Sequence, residues 1–277
     1  MKYKMVVLDL DGTLLNNDKH ISLNNIEILN DLHGRGIKIV IATGRNYYMA
    51  KTLVKDVENV EPVILANNGA IIRKSQNDEL IECNYLSPLE FEKIYREGIK
   101  RNLNPVLHVD EYFNGYDLIY ENENFEEVYR GYIKKGYERA KLKKFNPLEI
   151  KNILSVCYFN DYNMLCDFSD EMNKINRGNY NTICNRNIGK RALLEFLHPD
   201  GCKWSALKKY ALQHNVGPDE IVSIGDDNND IELLKNSGLG IAMLNGTEES
   251  KKAAKIITTH NNNDSGVYHI LNEIFKM

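Results

Sequence analysis

Asp9-Leu10-Asp11-Gly12-Thr13 follows directly on a short apolar run over residues 3–8, and the reading of that junction decides the fold. A short apolar run that stops at a polar turn reads as a parallel strand buried on both faces. Two carboxylates separated by one residue repel each other unless a cation intervenes. A hard cation with a taste for oxygen ligands, magnesium above all, would relieve that conflict. Gly12 lets the chain turn sharply and lets backbone N–H groups approach an anion. The plain alternative is a solvated Asp-Gly turn.

Working outward, the pattern repeats. Residues 22 to 34 carry Ile26, Leu29 and Leu32 at helical spacing, with Ser22 able to cap the start. A second apolar run, Ile37 to Ile41, stops at Ala42-Thr43-Gly44-Arg45. A helix is predicted over about 46–57, and a third strand, Pro62 to Ala66, ends at Asn67-Asn68-Gly69. The alternation resumes late, with a helix from Trp204 to His214 and a strand from Glu220 to Ile224. Gly225-Asp226-Asp227-Asn228-Asn229-Asp230 follows, then a helix over 230–236, short strands at 240–243 and 256–257, and a closing helix at 266–276. Strands alternating with helices imply a parallel sheet, and the reactive site of such a sheet lies beyond the carboxyl ends of its strands. Asp9, Asp11, Thr43 and Asp226 all fall at such ends.

Between the halves, over about 83–189, Tyr and Asn become dense, and helical patterns (Pro88 to Arg101, Phe125 to Lys135) mix with strand-like runs such as Ile153 to Phe159. The expectation is α/β throughout: a Rossmann-like parallel-sheet core over 1–82 and 190–277, with a smaller α/β domain inserted over 83–189.

Composition narrows the function classes. The chain has 277 residues, 43% of them hydrophobic, enough for a real core. The net charge is -4 and no basic tract is interleaved with aromatics, so no nucleic-acid partner is expected. The five cysteines are scattered with no CxxC pair, which suggests neither a zinc site nor a disulfide framework. No apolar window approaches the length of a membrane span, and the N-terminus lacks a signal-peptide pattern, so a cytoplasmic protein without a membrane partner is expected.

Three further motifs add to the first. Thr43-Gly44-Arg45 offers a hydroxyl, an accessible backbone N–H and a charge, the groups that hold phosphate, although Thr43 would serve equally as a helix cap. Lys203, at a helix start, could neutralise phosphate oxygens or screen carboxylates. The run Asp226 to Asp230 could complete a magnesium site with Asp9. A calcium-binding EF-hand loop is excluded there, because its twelfth position would be Ser237 and not Glu.

These residues resemble the haloacid dehalogenase superfamily, and within it the Cof-like phosphatases. The resemblance runs through Asp9-Leu10-Asp11-Gly12-Thr13-Leu14, Ala42-Thr43-Gly44-Arg45, Asn68-Gly69-Ala70, Lys203 with Ser205-Ala206-Leu207, and Gly225-Asp226 with Asn229-Asp230. It implies a hydrolase of small phosphorylated metabolites, sugar phosphates first, with flavin mononucleotide or pyridoxal phosphate next. Asp9 is implied as nucleophile forming an aspartyl-phosphate, and Asp11 as general acid and base. Magnesium is implied on the Asp9 carboxylate, the Asp11 backbone carbonyl and Asp226. Thr43, Gly44 and Lys203 would hold the phosphate, with Asn229 reaching phosphate or substrate, Arg45 touching substrate and Asp230 supporting from behind. Because 160 positions separate Thr43 from Lys203, the extra domain enters after the second motif, which in this family is a type-two cap. Cap residues Tyr112, Asn114, Tyr116 and Arg186 are candidate substrate contacts. A phosphomutase, or a catalytically silent phosphometabolite-binding protein, are the alternatives; a monomer or weak homodimer is expected. One departure stands out: the subgroup usually has Gly after the lysine, and here it is Trp204, which would either narrow the pocket or pack beneath the hinge of the cap.

Overall fold

The computed structural model describes residues 2–124, 137–188 and 191–276. The chain divides into two compact units: residues 1–82 with 202–277, and residues 83–201.

The first unit is built on a sheet ordered β14-β13-β12-β1-β2-β3-β4-β5. Its strands are β1 (Met5–Leu8), β2 (Lys38–Ala42), β3 (Val63–Ala66), β4 (Ile71–Lys74), β5 (Leu80–Cys83), β12 (Ile221–Gly225), β13 (Leu239–Ala242) and β14 (Ile256–Ile257). From β14 through to β3 each neighbouring pair is parallel, whereas β4 returns antiparallel on β3, a hairpin that hydrophobic pattern alone did not reveal. Met5, Val6, Val7 and Leu8 are all fully buried, as a strand in the middle of a sheet covered on both faces requires.

Helices α1 (Leu23–Gly34) and α2 (Tyr47–Leu53) connect the first three strands, and Ser22 and Asn46 accept hydrogen bonds from the first turns of α1 and α2. The predicted 46–57 helix ends early, at Leu53, and a 3-10 segment, Lys55–Val60, takes over. In the late half, α5 (Lys203–Gln213), α6 (Ile231–Asn236), α7 (Glu248–Ala253) and α8 (Gly266–Phe275) alternate with β12, β13 and β14. Strand β1 lies between β2 and β12, so chain order reverses on its two sides. That is the switch point at which an open α/β sheet leaves a crevice at its carboxyl edge.

The second unit carries a sheet ordered β10-β11-β9-β6-β7-β8. Its strands are β6 (Val106–Val109), β7 (Leu118–Tyr120), β8 (Ala140–Leu142), β9 (Ile153–Asn160), β10 (Asn181–Ile188) and β11 (Arg191–Leu197). Helices α3 (Pro88–Lys100) and α4 (Tyr162–Ile175) pack on it through Phe91, Ile94, Leu165 and Phe168, which meet Val156, Tyr158 and Phe196 from the strands. The sequence boundary at 189/190 is corrected here: β11 pairs antiparallel with both β9 and β10, so the chain returns to the first unit only after Gly201. Local pattern could not reveal this, because a buried strand looks the same whichever sheet it joins. Phe125 to Lys135, expected to be helical, lies outside the described residues. Among the described residues no helix is long and apolar enough to cross a membrane.

Candidate active site

Two loops and one helix start of the first unit converge. Asp9 follows β1 and Asp226 follows β12, its sheet neighbour, while Asp230 starts α6. Carboxylate oxygens of Asp9, Asp226 and Asp230 all lie within 4.8 Å of one another. Asp9 and Asp230 are buried. Crowding three acids out of water would be ruinous without compensation, and Lys203 provides part of it. Its side chain is fully buried, and Nζ donates to Asp9 Oδ1 at 2.6 Å and to Asp230 Oδ1 at 2.7 Å. Burial alone would lower the lysine's pKa, but the charges of Asp230 and Asp9 raise it instead, so it stays a cation.

The remaining charge shows in the acids. Burial pushes Asp9 well above the usual carboxylate range, with repulsion from Asp230 and Asp226 adding and Lys203 opposing. Burial, then Asp230, pushes Asp226 up to about 7. Three carboxylates face one lysine, which leaves two negative charges uncompensated, and the donors are all oxygens, which is the chemistry a hard divalent cation satisfies. Thr13 Oγ1 donates to Asp226 Oδ1 at 2.7 Å and so aims that carboxylate.

Two glycines make the crowding sterically feasible. Gly12 has φ +77°, and a Cβ there would stand 2.3 Å from Asp226 Oδ2. At Gly225 a Cβ would meet Asp230 Cγ at 2.4 Å. Asp230 is fixed by its other oxygen, Oδ2, which accepts from the backbone N–H of Asp226 and Asp227 at 3.1 and 3.2 Å.

Asp11 faces elsewhere. Its carboxylate accepts from Arg45 Nε at 2.5 Å, Arg45 Nη2 at 2.7 Å and Lys19 Nζ at 2.6 Å. Burial would raise its pKa, but Arg45 and then Lys19 more than offset that and hold it at about 2. Lys19 was missed in the sequence. It lies eight residues past Asp11 in a polar turn, and nothing in its spacing tells that the turn folds back.

Thr43 is buried at the end of β2, and its Oγ1 accepts from the Arg45 backbone N–H at 3.2 Å. Asn229 Nδ2 donates to Asn68 Oδ1 at 3.0 Å, and a Cβ at Gly44 would come within 3.3 Å of the same Asn68 oxygen. Thr43, Gly44, Asn68 and Asn229 thus belong to one neighbourhood. Trp204 does not displace Lys203: the indole is half-buried and packs with Ile81 against the core cluster that includes Ala206, Leu207 and Tyr210. Of the candidate contacts in the second unit, Tyr112 lies under the Arg139 guanidinium and Tyr116 under the Lys141 ammonium, with the charges 5.1 and 3.9 Å from the ring centres. Asn114 donates to Glu111. The Arg186 side chain lies outside the described residues.

The model of the haloacid dehalogenase-like hydrolases matches residues 6–271. The chain belongs to that family. Among curated relatives, the 5-amino-6-(5-phospho-D-ribitylamino)uracil phosphatase YwtE of Bacillus subtilis is 27% identical, over 99% of this chain and 98% of its own. A haloacid dehalogenase-like hydrolase from Bacteroides thetaiotaomicron superimposes with a TM-score of 0.79 at 26% identity, covering 99% of this chain and 100% of the other. A sugar phosphatase of haloacid dehalogenase subclass IIB shares the fold, with a TM-score of 0.77 at 20% identity over 99% and 100% of the two chains. The α/β core with an inserted α/β cap is the architecture of this hydrolase.

Proposed function

We propose that this hydrolase is a magnesium-dependent phosphatase of small phosphorylated metabolites, sugar phosphates foremost, working through an aspartyl-phosphate on Asp9. The observation that carries the reading is the meeting of Asp9 and Asp226 on adjacent strand ends, with Lys203 bound to Asp9. Asp9 is the candidate nucleophile, a reading supported by its position at the end of the central strand with one oxygen held by Lys203. Asp226, the Asp9 carboxylate and the Asp11 backbone carbonyl are the donors for magnesium, and Asp230 supports Lys203 and the Asp226 loop from behind. When bound, the ion would neutralise phosphate and carboxylate charge and so let two anions approach.

In the first step an Asp9 oxygen forms a bond to phosphorus while the bond from phosphorus to the alcohol oxygen breaks. The leaving oxygen keeps that electron pair and takes a proton from the Asp11 carboxyl. In the second step water attacks the phosphorus of the aspartyl-phosphate, gives its proton to Asp11, and frees inorganic phosphate and the Asp9 carboxylate. A carboxylate nucleophile thereby divides one difficult hydrolysis into two displacements. Thr43, the Gly44 backbone and Lys203 would hold the phosphoryl oxygens and Asn229 would reach the substrate, which is the positioning and charge neutralisation this chemistry demands. As found, Asp11 is ion-paired to Arg45 and Lys19, so its acid–base work starts when those cations are drawn away.

The names of the relatives support the reading: one is a phosphatase of a ribityl phosphate, another a sugar phosphatase. The test is phosphate release from a panel of phosphometabolites, with and without magnesium, by wild type and Asp9→Asn. Turnover that needs magnesium and vanishes in Asp9→Asn is expected. Retained magnesium-dependent turnover in the variant refutes the nucleophile.

A further inference from the structure

Two cations converge on one carboxylate at Asp11, which leaves one positive charge in surplus there. Lys19 Nζ is 2.6 Å from Asp11 Oδ1, and Arg45 takes both carboxylate oxygens at 2.5 and 2.7 Å. Arg45 is also close enough to Asp9 to feel that charge, so the guanidinium borders the reacting centre.

Lys19 is not a loose surface side chain. It holds the left-handed conformation, φ +65°, which a residue with a Cβ adopts only against steric resistance. The turn that forces it there is bolted down. Asn16 N–H donates to the His20 carbonyl at 2.9 Å, and the His20 N–H returns a bond to Asn16 Oδ1 at 2.9 Å. Asn17 N–H donates to Asn263 Oδ1 at 2.9 Å. The buried Asn262 reaches from the same C-terminal stretch and donates through Nδ2 to the Leu15 carbonyl at 2.9 Å and to Asn17 Oδ1 at 3.2 Å. Asn262 and Asn263 thus hold the turn from which Lys19 reaches Asp11.

Resting on the phosphatase reading, we infer that Lys19 and Arg45 form a subsite for a second anionic group of the substrate. The preferred substrates are then phosphate monoesters whose alcohol carries a carboxylate or another phosphate. When Asp11 turns to the leaving oxygen it abandons both cations. Arg45, whose side chain is only 23% exposed, and Lys19, at 49%, then need a new counter-ion. The transferred phosphoryl group already has Thr43, Gly44 and Lys203. A second anion on the substrate replaces the Asp11 carboxylate, and a guanidinium fork beside an ammonium suits either a carboxylate or a phosphate. Binding of that anion and release of Asp11 are one exchange.

The test compares kcat/KM on matched pairs at low salt: glucose 6-phosphate against 6-phosphogluconate, and fructose 6-phosphate against fructose 1,6-bisphosphate. Wild type should favour the anionic member of at least one pair by about tenfold, and the pair that shows it identifies carboxylate or phosphate as the second group. Added salt should shrink the preference. Lys19→Gln should remove it, lowering the member with a second anionic group about tenfold relative to the member without one, and Lys19→Arg should keep it. Equal kcat/KM within both pairs in wild type overturns the inference. So does Lys19→Gln lowering both members alike, the signature of a structural prop. Absence of phosphate release from all four compounds and the wider panel instead overturns the phosphatase reading.

Discussion

Lys203→Met tests the electrostatic heart of the site. Methionine nearly fills the space of lysine but removes the charge that joins Asp9 to Asp230 in a fully buried pocket. Deleting one partner of a buried ion pair costs about 3–5 kcal/mol, because the survivor stays charged and dehydrated. Here two carboxylates lose their cation, with Asp226 close by. One relief is available. Burial already drives Asp9 well above its ordinary pKa, so without Lys203 it takes up a proton and removes one of the stranded charges. The loss should therefore fall at the lower end, about 3 kcal/mol. For a folding unit of this size that is roughly 6–12 °C in Tm. The assay is thermal unfolding of wild type and variant in metal-free buffer at pH 7, followed by circular dichroism. Adding Asp9→Asn to the variant should recover part of the loss, since it deletes one of the carboxylates that lost its partner. A fall below about 2 °C for Lys203→Met would refute the reasoning, because the acids would then be held together by something other than this cation.

Other consequences can be checked alongside. Gly12→Ala should lose stability by about 1–2 kcal/mol from backbone strain alone at φ +77°. Its new Cβ, 2.3 Å from Asp226 Oδ2, should also displace that carboxylate and weaken magnesium binding, read by calorimetric titration; unchanged affinity would argue against Asp226 as a donor. His108, buried in β6, titrates at about 4 instead of its ordinary 6.5 because burial disfavours the charged ring. Between those values the unfolded chain carries the extra proton. The contribution of His108 should therefore be constant above pH 6.5 and cost about 3 kcal/mol as pH drops towards 4, while Asp226, raised to about 7, works in the opposite direction over that range. Denaturant titrations of wild type and His108→Gln across that range check it, with the variant expected to lack this part of the slope.

How much of this was legible beforehand depends on how local the cause is. Buried strands that halt at polar turns can be read from a chain because burial on both faces demands unbroken apolar runs, so β1, β2, β3 and β12 stood out within a residue or two. The motif residues stood out for a related reason: carboxylates, a glycine and a hydroxyl at strand ends are costly unless used. The hairpin strand β4 did not, since four residues carry too little pattern. The second boundary was misplaced for want of long-range pairing information, because β11 differs from a strand of the core only in what it bonds to.

By itself, then, the sequence determined the alternation of strands and helices, the edge at which polar groups gather, and the interruption that makes room for a second unit. Tertiary structure alone decided which charges meet. Lys203 and Asp9 are 194 positions apart yet bonded, Lys19 folds back onto Asp11 because asparagines near the C-terminus hold its turn, and Trp204 packs into the core instead of crowding the lysine. Hydrophobic periodicity is a property of neighbours along the chain, whereas an ion pair depends on distance in space, and only the folded sheet sets that distance.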